Sequence, residues 1–380
     1  MKLSDVCFEM HQGINTVADK VKYYECGTPI LQSKNITNGI LDLEDVRFVD
    51  ENDYNKYKER YIPRKGNILL SNIGTIGKSL LIDEEKDFLI AWNIFLIKVN
   101  ESKINSKFLN FYFQYLDMSN YYNKYLTGGT VKFINKKTME NIEIPNISLV
   151  NQIKIADELE KVQKMIDIRE KQIKKLDELI KSQFVEMFGN IFEYEKLENY
   201  SVLITKGASP KWQGVNYQND GTLFVTSENV RDGFVDISKP KYLDNKINEI
   251  LPRSVLKRDD ILIKIVGASI GRAAKYNYDY LANINQAVAL VRTKNINNIF
   301  LLTYLNSDEA IRIYDDMKKG GARENLSLKN IADLKIPKAP IEEQNKFAEF
   351  VKLVDKQKVK IQKSLEEMQQ LQKSLMNNYF

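Results

Sequence analysis

The chain has 380 residues, more than one hydrophobic core usually organises, so its length predicts two or more domains. Hydrophobic residues make up 43% and charged residues 28%, with neither a run of about 18 apolar residues nor a signal-peptide pattern, so we expect a globular cytosolic protein. The net charge of +5 is a weak indication of a polyanionic partner and excludes little.

Three residues with soft side chains do not predict a metal site. Cys7, Cys26 and His11 supply three ligands, one short of a closed zinc site. In the cytosol both thiols are expected to stay reduced. We interpret all three as ordinary structural residues.

Basic residues are distributed unevenly. Residues 196–338 contain 22 lysines and arginines against 16 acidic residues, a net charge of +6, whereas residues 1–148 contain 19 of each. Any basic surface in the first part must therefore come from folding rather than from composition.

An internal repeat begins at the first residues of the chain. Residues 2–50 align without a gap onto residues 196–244, with 12 identities in 49 positions. Within this block, TPILQSKNITNGILD is matched by TLFVTSENVRDGFVD. The Asn-Gly and Asp-Gly pairs lie between apolar stretches and tolerate the positive φ of a hairpin turn. We predict strand, turn and strand in both copies.

A second matched block pairs NILLSNIGTIGK (Asn67–Lys78) with DILIKIVGASIGR (Asp260–Arg272), with one residue inserted. Each copy is a β-rich run followed by a glycine-bounded loop that ends in a cation. The GTIGKS segment is similar to a phosphate-binding loop, but Asn72 stands where that loop needs its first glycine. No methyltransferase loop or glycine-rich cofactor fingerprint is present either, so we predict that the chain binds no cofactor.

The third matched block and the segments after it predict two long helices. Residues 128–145 match residues 320–337, each a double glycine followed by a turn and a strand that ends at proline. Beyond each proline, apolar residues recur about every 3.5 positions and form a narrow seam. The seam positions are Leu159, Val162, Ile166, Arg169, Ile173, Leu176 and Ile180 in the first copy, and Val351, Val354, Lys358, Ile361, Leu365 and Met368 in the second.

A helix of roughly 40 residues is a rod on the order of 60 Å long and cannot bury its own seam. We therefore expect the two helices to pair with each other as an antiparallel coiled coil with pseudo-two-fold symmetry, with a β-rich head at either end. Two alternatives remain open. The seams could pair identical chains, or two unrelated domains could be joined by helical linkers.

The pattern resembles the specificity subunit of type I restriction-modification systems, and the likeness covers nearly the whole chain. The resemblance rests on three pairs of segments: the duplicated GTIGK and GASIGR loops, the blocks that end in IEIP and LKIP, and the helical segments that begin SLVNQIKIADELEKV and APIEEQNKFAEFVKLVD. The resemblance implies an α+β fold with two β-rich target-recognition domains, at residues 1–148 and 191–338. Each is followed by a coiled-coil helix, at residues 149–190 and 339–380.

The resemblance also implies a function. Each target-recognition domain would read one half of a bipartite DNA site, and the helices would set the spacer between the halves. Two methyltransferase subunits would dock on the chain, with restriction subunits in the full complex. These partners would bring S-adenosylmethionine, ATP and magnesium, and this chain would be non-catalytic.

Reading bases requires side chains that reach the base edges, and holding the duplex requires cations against phosphate. We expect the loops to supply both. The candidate DNA-binding residues are Lys78, Lys132, Lys211, Trp212, Lys264, Arg272 and Arg323. Each cation taken singly is equally well interpreted as a solvated surface residue, and Trp212 as a core ring.

Two other functions remain open. A catalytic methyltransferase-nuclease subunit is disfavoured by the missing cofactor loops. A coiled-coil interaction scaffold would lack the salt-sensitive, sequence-selective DNA binding expected of a specificity subunit.

Overall fold

A computed structural model describes residues 1–37, 39–126, 132–267, 269–319 and 325–380. The chain divides into two compact units. The first unit comprises Met1–Glu170 and Lys363–Phe380, and the second comprises Lys171–Gln362. Each unit contains one β-rich head, called here the first head (residues 1–148) and the second head (residues 191–338), together with segments of two long helices.

The described residues of the first head form three small sheets. Its strands are β1 (Cys7–Gln12), β2 (Thr28–Leu31), β3 (Ile36–Thr37), β4 (Ile40–Leu41), β5 (Arg47–Val49), β6 (Ile68–Ser71), β7 (Ser79–Leu81), β8 (Leu89–Ile90) and β9 (Ile94–Val99). Its helices are α1 (Glu51–Tyr61), α2 (Ser106–Met118) and α3 (Lys136–Glu140). The main sheet has the antiparallel order β1-β9-β6-β7, beside a sheet of order β5-β2-β8 and the β3-β4 hairpin.

The main sheet of the first head separates two apolar cores. Successive residues of β6 point to opposite faces, so Ile68 and Leu70 pack with Phe108 of α2, whereas Leu69 packs with Leu31 of β2. Because both faces are covered, the central strands are continuously apolar rather than alternating.

Helix α4 (Leu149–Phe188) follows the first head and leads into the second. The strands of the second head are β10 (Tyr194–Lys196), β11 (Ser201–Lys206), β12 (Tyr217–Gln218), β13 (Thr222–Val225), β14 (Gly233–Phe234), β15 (Tyr242–Leu243), β16 (Ile261–Lys264), β17 (Ala273–Lys275), β18 (Ala282–Ile284), β19 (Val288–Thr293) and β20 (Lys335–Pro337). Its helices are α5 (Ile247–Ile250), α6 (Asn298–Leu305), α7 (Asp308–Lys319) and α8 (Leu328–Ala332), and the long helix α9 (Ile341–Tyr379) comes last.

The sequence repeat is a structural repeat. The sheet order β11-β19-β16-β17 in the second head matches β1-β9-β6-β7 in the first, and β14 adds a fifth strand next to β17. Strands β1 and β11 are both irregular at equivalent positions, between Cys7 and Glu9 and between Ser201 and Leu203. The parallel pairing of β2 with β8 likewise recurs between β13 and β18.

The predicted turns of the two copies lead into different strand pairings. Asn35 and Asn229 play the same part, because each side-chain amide donates to the carbonyl seven residues later, at 3.1 and 2.8 Å. In the first head the strands after this asparagine form the predicted β3-β4 hairpin, and Asn38 of that turn lies outside the described residues. In the second head the turn is bracketed by a single bridge, and β14 pairs in parallel with β17 instead.

The two long helices contact each other within each unit. In the first unit, Gln372 Nε2 donates to Gln163 Oε1 at 2.7 Å, and the Tyr379 hydroxyl donates to Glu158. These contacts are antiparallel, because the later residue of α9 meets the earlier residue of α4. Every predicted seam residue in α4 and α9 is buried or half-buried.

The second unit has the same antiparallel arrangement. Lys358 is ion-paired with Asp177, and the Phe347 ring meets the Phe184 ring at 5.4 Å. Phe188, near the end of α4, packs on Phe300 in the core of the second head. Each head is thus completed by apolar residues of the long helices in its own unit.

Candidate DNA interface

The turn between β6 and β7 carries Lys78, which ends the GTIGK loop. The preceding Gly77 has φ +88°, and a Cβ there would lie 2.5 Å from the Tyr122 ring, so the position requires glycine. The Lys78 amide donates to Ser71 Oγ at 2.9 Å, and its ammonium is ion-paired with Asp117 Oδ2 of α2 at 2.7 Å. The lysine is therefore held at the loop end by one half-buried carboxylate.

The turn between β16 and β17 repeats this design with Arg272. Gly271 has φ +91°, and a Cβ there would lie 2.1 Å from the Tyr314 ring. The guanidinium Nε is ion-paired with Asp232 Oδ1 at 2.6 Å. Asp232 immediately precedes β14, whereas the partner of Lys78 lies on α2, so the two heads place equivalent cations against carboxylates of different elements.

Lys264, the last residue of β16, lies beside this turn and is only 8% exposed. Its ammonium donates to Ser269 Oγ at 2.9 Å. Burial, followed by the positive charges of Arg272 and Arg231, lowers the pKa of Lys264 from its ordinary value, and the carboxylates of Asp232 and Glu228 oppose part of this shift. The equivalent residue of the first head is Ser71, so this buried cation belongs to the second head alone.

Lys132, which follows the first double glycine, lies near the GTIGK turn. Lys132 is exposed and lines a surface pocket together with Asp117, the residue whose carboxylate pairs with Lys78. The Ile134 amide donates to the Asn72 carbonyl at 3.0 Å and joins this segment to the GTIGK loop. Arg323 and both double glycines lie outside the described residues.

Lys211 and Trp212 lie on a short 3-10 helix, Pro210–Gln213, in the second head. The Trp212 ring is 87% exposed, so the interpretation of this residue as a core ring is wrong. An exposed indole beside a lysine is available for stacking or apolar contact with a ligand.

One buried glutamine near the start of each long helix joins that helix to a head. This role was not predicted from the sequence. Gln152 Oε1 accepts from the Asn105 amide at 2.9 Å, and its Nε2 donates to the Ile147 carbonyl at 2.8 Å. Gln344 repeats both bonds at the same distances, with the Asn297 amide and the Ala339 carbonyl. The recurrence of glutamine at an offset of 192 was the available signal.

Three charged residues near the turns were not predicted from the sequence. Asp117 and Asp232 pair with the loop cations, and Arg231 adds positive charge near Lys264. No local pattern announces them, because each lies far along the chain from the cation it influences.

The described residues include no group of three or more His, Cys, Asp or Glu side chains placed to hold a metal ion. Cys7 and Cys26 are free, and burial raises the pKa of the Cys7 thiol to about 12. Among the described helices, none is long and apolar enough to cross a membrane.

This duplicated architecture with two heads is shared with a known protein family. The model of the type I restriction modification DNA specificity domain matches residues 1–178 and again residues 211–372. Since these matches cover most of the chain and include both heads, the chain belongs to this family of DNA specificity domains. Recognition of a DNA sequence is the function that this membership gives it.

Individual relatives agree with this assignment. A putative type I restriction enzyme specificity subunit, MjaX, of Methanocaldococcus jannaschii is 24% identical over 405 aligned positions, which cover 99% of this chain and 91% of the relative. The EcoBI specificity subunit of Escherichia coli is 26% identical over 294 positions, covering 69% of this chain and 61% of that protein.

Two solved structures share the fold. The S subunit of a type I restriction-modification system from M. genitalium superposes with a TM-score of 0.56 at 16% identity, covering 99% of this chain and 94% of that one. A chain from a structural study of complex assembly and conformational transition in the type I system gives a TM-score of 0.55 at 16% identity, with coverages of 99% and 96%. At such identity the likeness concerns the fold alone.

Proposed function

We propose that this chain is the specificity subunit of a type I restriction-modification complex and that each head reads one half of a bipartite DNA site. The observation that carries the proposal is the repetition of one glycine-cation turn on the same sheet in both heads. The turns share a scaffold but differ in side chains, with Lys78 and Ser71 in one head and Arg272 and Lys264 in the other. Because the two heads share one fold but present different side chains, they suit two half-sites of different sequence.

The proposed contacts with DNA are made by the candidate residues in two ways. The loop cations Lys78 and Arg272 exchange their carboxylate partners for phosphate or base-edge acceptors, since ion pairs at a protein surface are weak. Lys132 is exposed near the GTIGK loop, and Lys211 and Trp212 are exposed on their own 3-10 helix in the second head, so that all three add further contacts. Arg323 is included among the proposed DNA contacts only because it follows the second double glycine in the sequence, as Lys132 follows the first.

The proposed division of labour assigns residues 1–148 and 191–338 to reading. Residues 149–190 and 339–380 set the spacer between the half-sites and dock two methyltransferase subunits, with restriction subunits in the full complex. Those subunits bind S-adenosylmethionine, ATP and magnesium, and this chain catalyses no step. The sustained apolar seam on both helices supports a rigid spacing element.

An exchange of heads tests the proposal. Residues 196–338 are replaced by the corresponding region of a relative with another specificity, the complex is reconstituted with its methyltransferase subunits, and methylated positions are mapped. One half of the methylated motif should change while the other half and the spacer stay the same. Exchange of residues 1–148 is the reciprocal control and should change the other half. A wholly new motif from either exchange contradicts independent heads.

A further inference from the structure

Three cations converge at one end of the main sheet in the second head. The Lys264 amide donates to the Arg272 carbonyl at 2.9 Å, so the two residues face each other across the β16-β17 pair. The parallel pairing of β14 with β17 sets Gly233 opposite Ala274, which brings Arg231 to the same end of the sheet. The topology therefore gathers Lys264, Arg272 and Arg231, although Arg231 is distant from the other two in the sequence.

The buried member of this cluster has no carboxylate in direct contact. In the described part of the chain, no carboxylate oxygen lies within 4.0 Å of Lys264 Nζ, and its hydrogen-bond acceptor is the neutral Ser269 hydroxyl. The neighbouring arginines act on the same ammonium and lower its pKa further than burial does alone. A partly buried ammonium beside two guanidinium groups favours a nearby anion, and the carboxylates of Asp232 and Glu228 offset only part of the positive charge, since the pKa stays lowered.

The two arginines are held by carboxylates that solvent reaches. Asp232, the partner of Arg272, has a side chain 67% exposed, and Arg231 Nε lies 3.6 Å from Asp236 Oδ2. Pairs of this kind are weak because solvent screens them. An incoming anion can therefore replace the exposed Asp232 carboxylate at Arg272, whereas Asp236 is 30% exposed and also accepts from the Ser238 amide.

At the equivalent positions of the first head, two of the three cations are replaced by neutral residues. Ser71 is equivalent to Lys264 and Thr37 is equivalent to Arg231. Of these three positions, only the one equivalent to Arg272 carries a cation in the first head, Lys78. The composition agrees, since residues 196–338 carry a net charge of +6 and residues 1–148 carry none.

We propose that Lys264, Arg272 and Arg231 together bind one backbone phosphate of the DNA beside the second half-site, so that the second head anchors the duplex electrostatically. The inference rests on the proposed DNA-reading function and deepens it. A phosphate is favoured over a base edge because the Lys264 side chain is packed along a strand end and cannot extend into a groove, whereas three cations at one end of the sheet suit a single charged group.

The first test is Lys264→Met in the complex reconstituted with methyltransferase subunits. Affinity is measured against salt concentration for duplexes with and without the recognised motif. We expect weaker binding to both duplexes by a similar factor and a log-log salt slope reduced in magnitude by about 0.9, as for one lost phosphate contact. The matched control is Lys275→Met on β17, whose ammonium pairs with Asp259 at 3.1 Å, and it should leave the slope unchanged.

A second variant, at the exposed residue Asp232, provides an independent test in case Lys264→Met impairs folding. Asp232→Asn removes the exposed carboxylate that competes for Arg272, so DNA binding should tighten several-fold with a steeper salt slope. An unchanged slope in folded Lys264→Met, or unchanged affinity in Asp232→Asn, overturns the inference. So does a changed base in the second half of the methylated motif, since Lys264 would then read a base. Failure of the wild-type complex to bind DNA selectively would instead overturn the proposed function.

Discussion

At the scale of single residues, the buried glutamines Gln152 and Gln344 are the clearest structural determinants of each unit. Each amide bonds in two directions at once, to the cap residue of a head helix and to the chain just before a long helix. Both are almost completely buried, so water cannot replace either bond.

The first prediction concerns these amides. Gln152→Leu or Gln344→Leu should lower the free energy of unfolding by about 1–3 kcal/mol, because each leaves a buried donor and a buried acceptor unpaired. Chemical denaturation of the purified chain measures the change. Gln357→Leu, at an exposed position on α9, is the matched control and should have little effect. Equal effects at the buried and exposed positions would show that the two bonds do not stabilise the fold.

The second prediction concerns the glycines at the loop turns. Gly77→Ala and Gly271→Ala place a methyl group against a tyrosine ring at a positive φ, and each should cost about 2–4 kcal/mol from strain and overpacking combined. Gly233→Ala is a matched control, because Gly233 has φ +90° and open space around it, so it reports the backbone strain alone. A cost at Gly77 no larger than at Gly233 would contradict the close approach of the Tyr122 ring.

At the scale of elements, the long helices combine an apolar seam with a few polar contacts that interrupt it. In the second unit, Lys358 occupies a seam position and pairs with Asp177. In the first unit, Gln163 of α4 bonds to Gln372 of α9. Polar residues in a seam reduce stability but favour one register and one partner over others.

The third prediction tests this pairing by charge exchange. Asp177→Lys should destabilise the second unit by about 0.5–1 kcal/mol, because it sets like charges against each other on partly exposed side chains. Adding Lys358→Asp restores opposite charges and should recover most of the loss. Thermal unfolding of the two single variants and the double variant gives the coupling energy. Additive effects would mean that the two side chains do not interact in solution.

The fourth prediction concerns the helices as a spacing element. Insertion of seven residues between Lys171 and Ile173 should abolish activity or lengthen the spacer, since unpaired seam residues cost a few kcal/mol in lost burial. A matching insertion near Lys363 restores the register and should give an active complex with a longer spacer. The measurement is the spacer in sites methylated by the double-insertion variant. An active variant with an unchanged spacer would rule out the helices as the spacing element.

At the scale of the whole molecule, the chain is expected to select DNA and leave the chemistry to partners. The fifth prediction is that the purified chain, supplied with S-adenosylmethionine, ATP and magnesium, neither methylates nor cleaves DNA. Radiolabelled methyl transfer and plasmid nicking measure both activities. The same preparation with its methyltransferase subunits added is the positive control, and turnover by the chain alone would contradict the proposed division of labour.

The sequence by itself determined the duplicated architecture, because the signals involved are local and occur twice at nearly constant offsets. The positive φ of Gly39 and Gly233, the strand that ends at Pro337 and the 3.5-residue seam are each encoded in consecutive residues and lie where they were predicted. The prediction of a strand that ends at Pro145 is wrong, because that segment forms only a single bridge at Glu143. The antiparallel contacts of the helices also followed, since a seam without a partner has few ways to be buried.

Only the tertiary structure decided which side chains meet. The pairing of Lys78 with Asp117, the burial of Lys264 and the approach of Arg231 through the β14-β17 pair all depend on strand order and packing between distant segments. The exposure of Trp212 was equally undetermined, because an aromatic residue in a polar loop packs inward or outward according to its surroundings. The charge environment of each turn is set by through-space distances, and the one-dimensional pattern does not contain them.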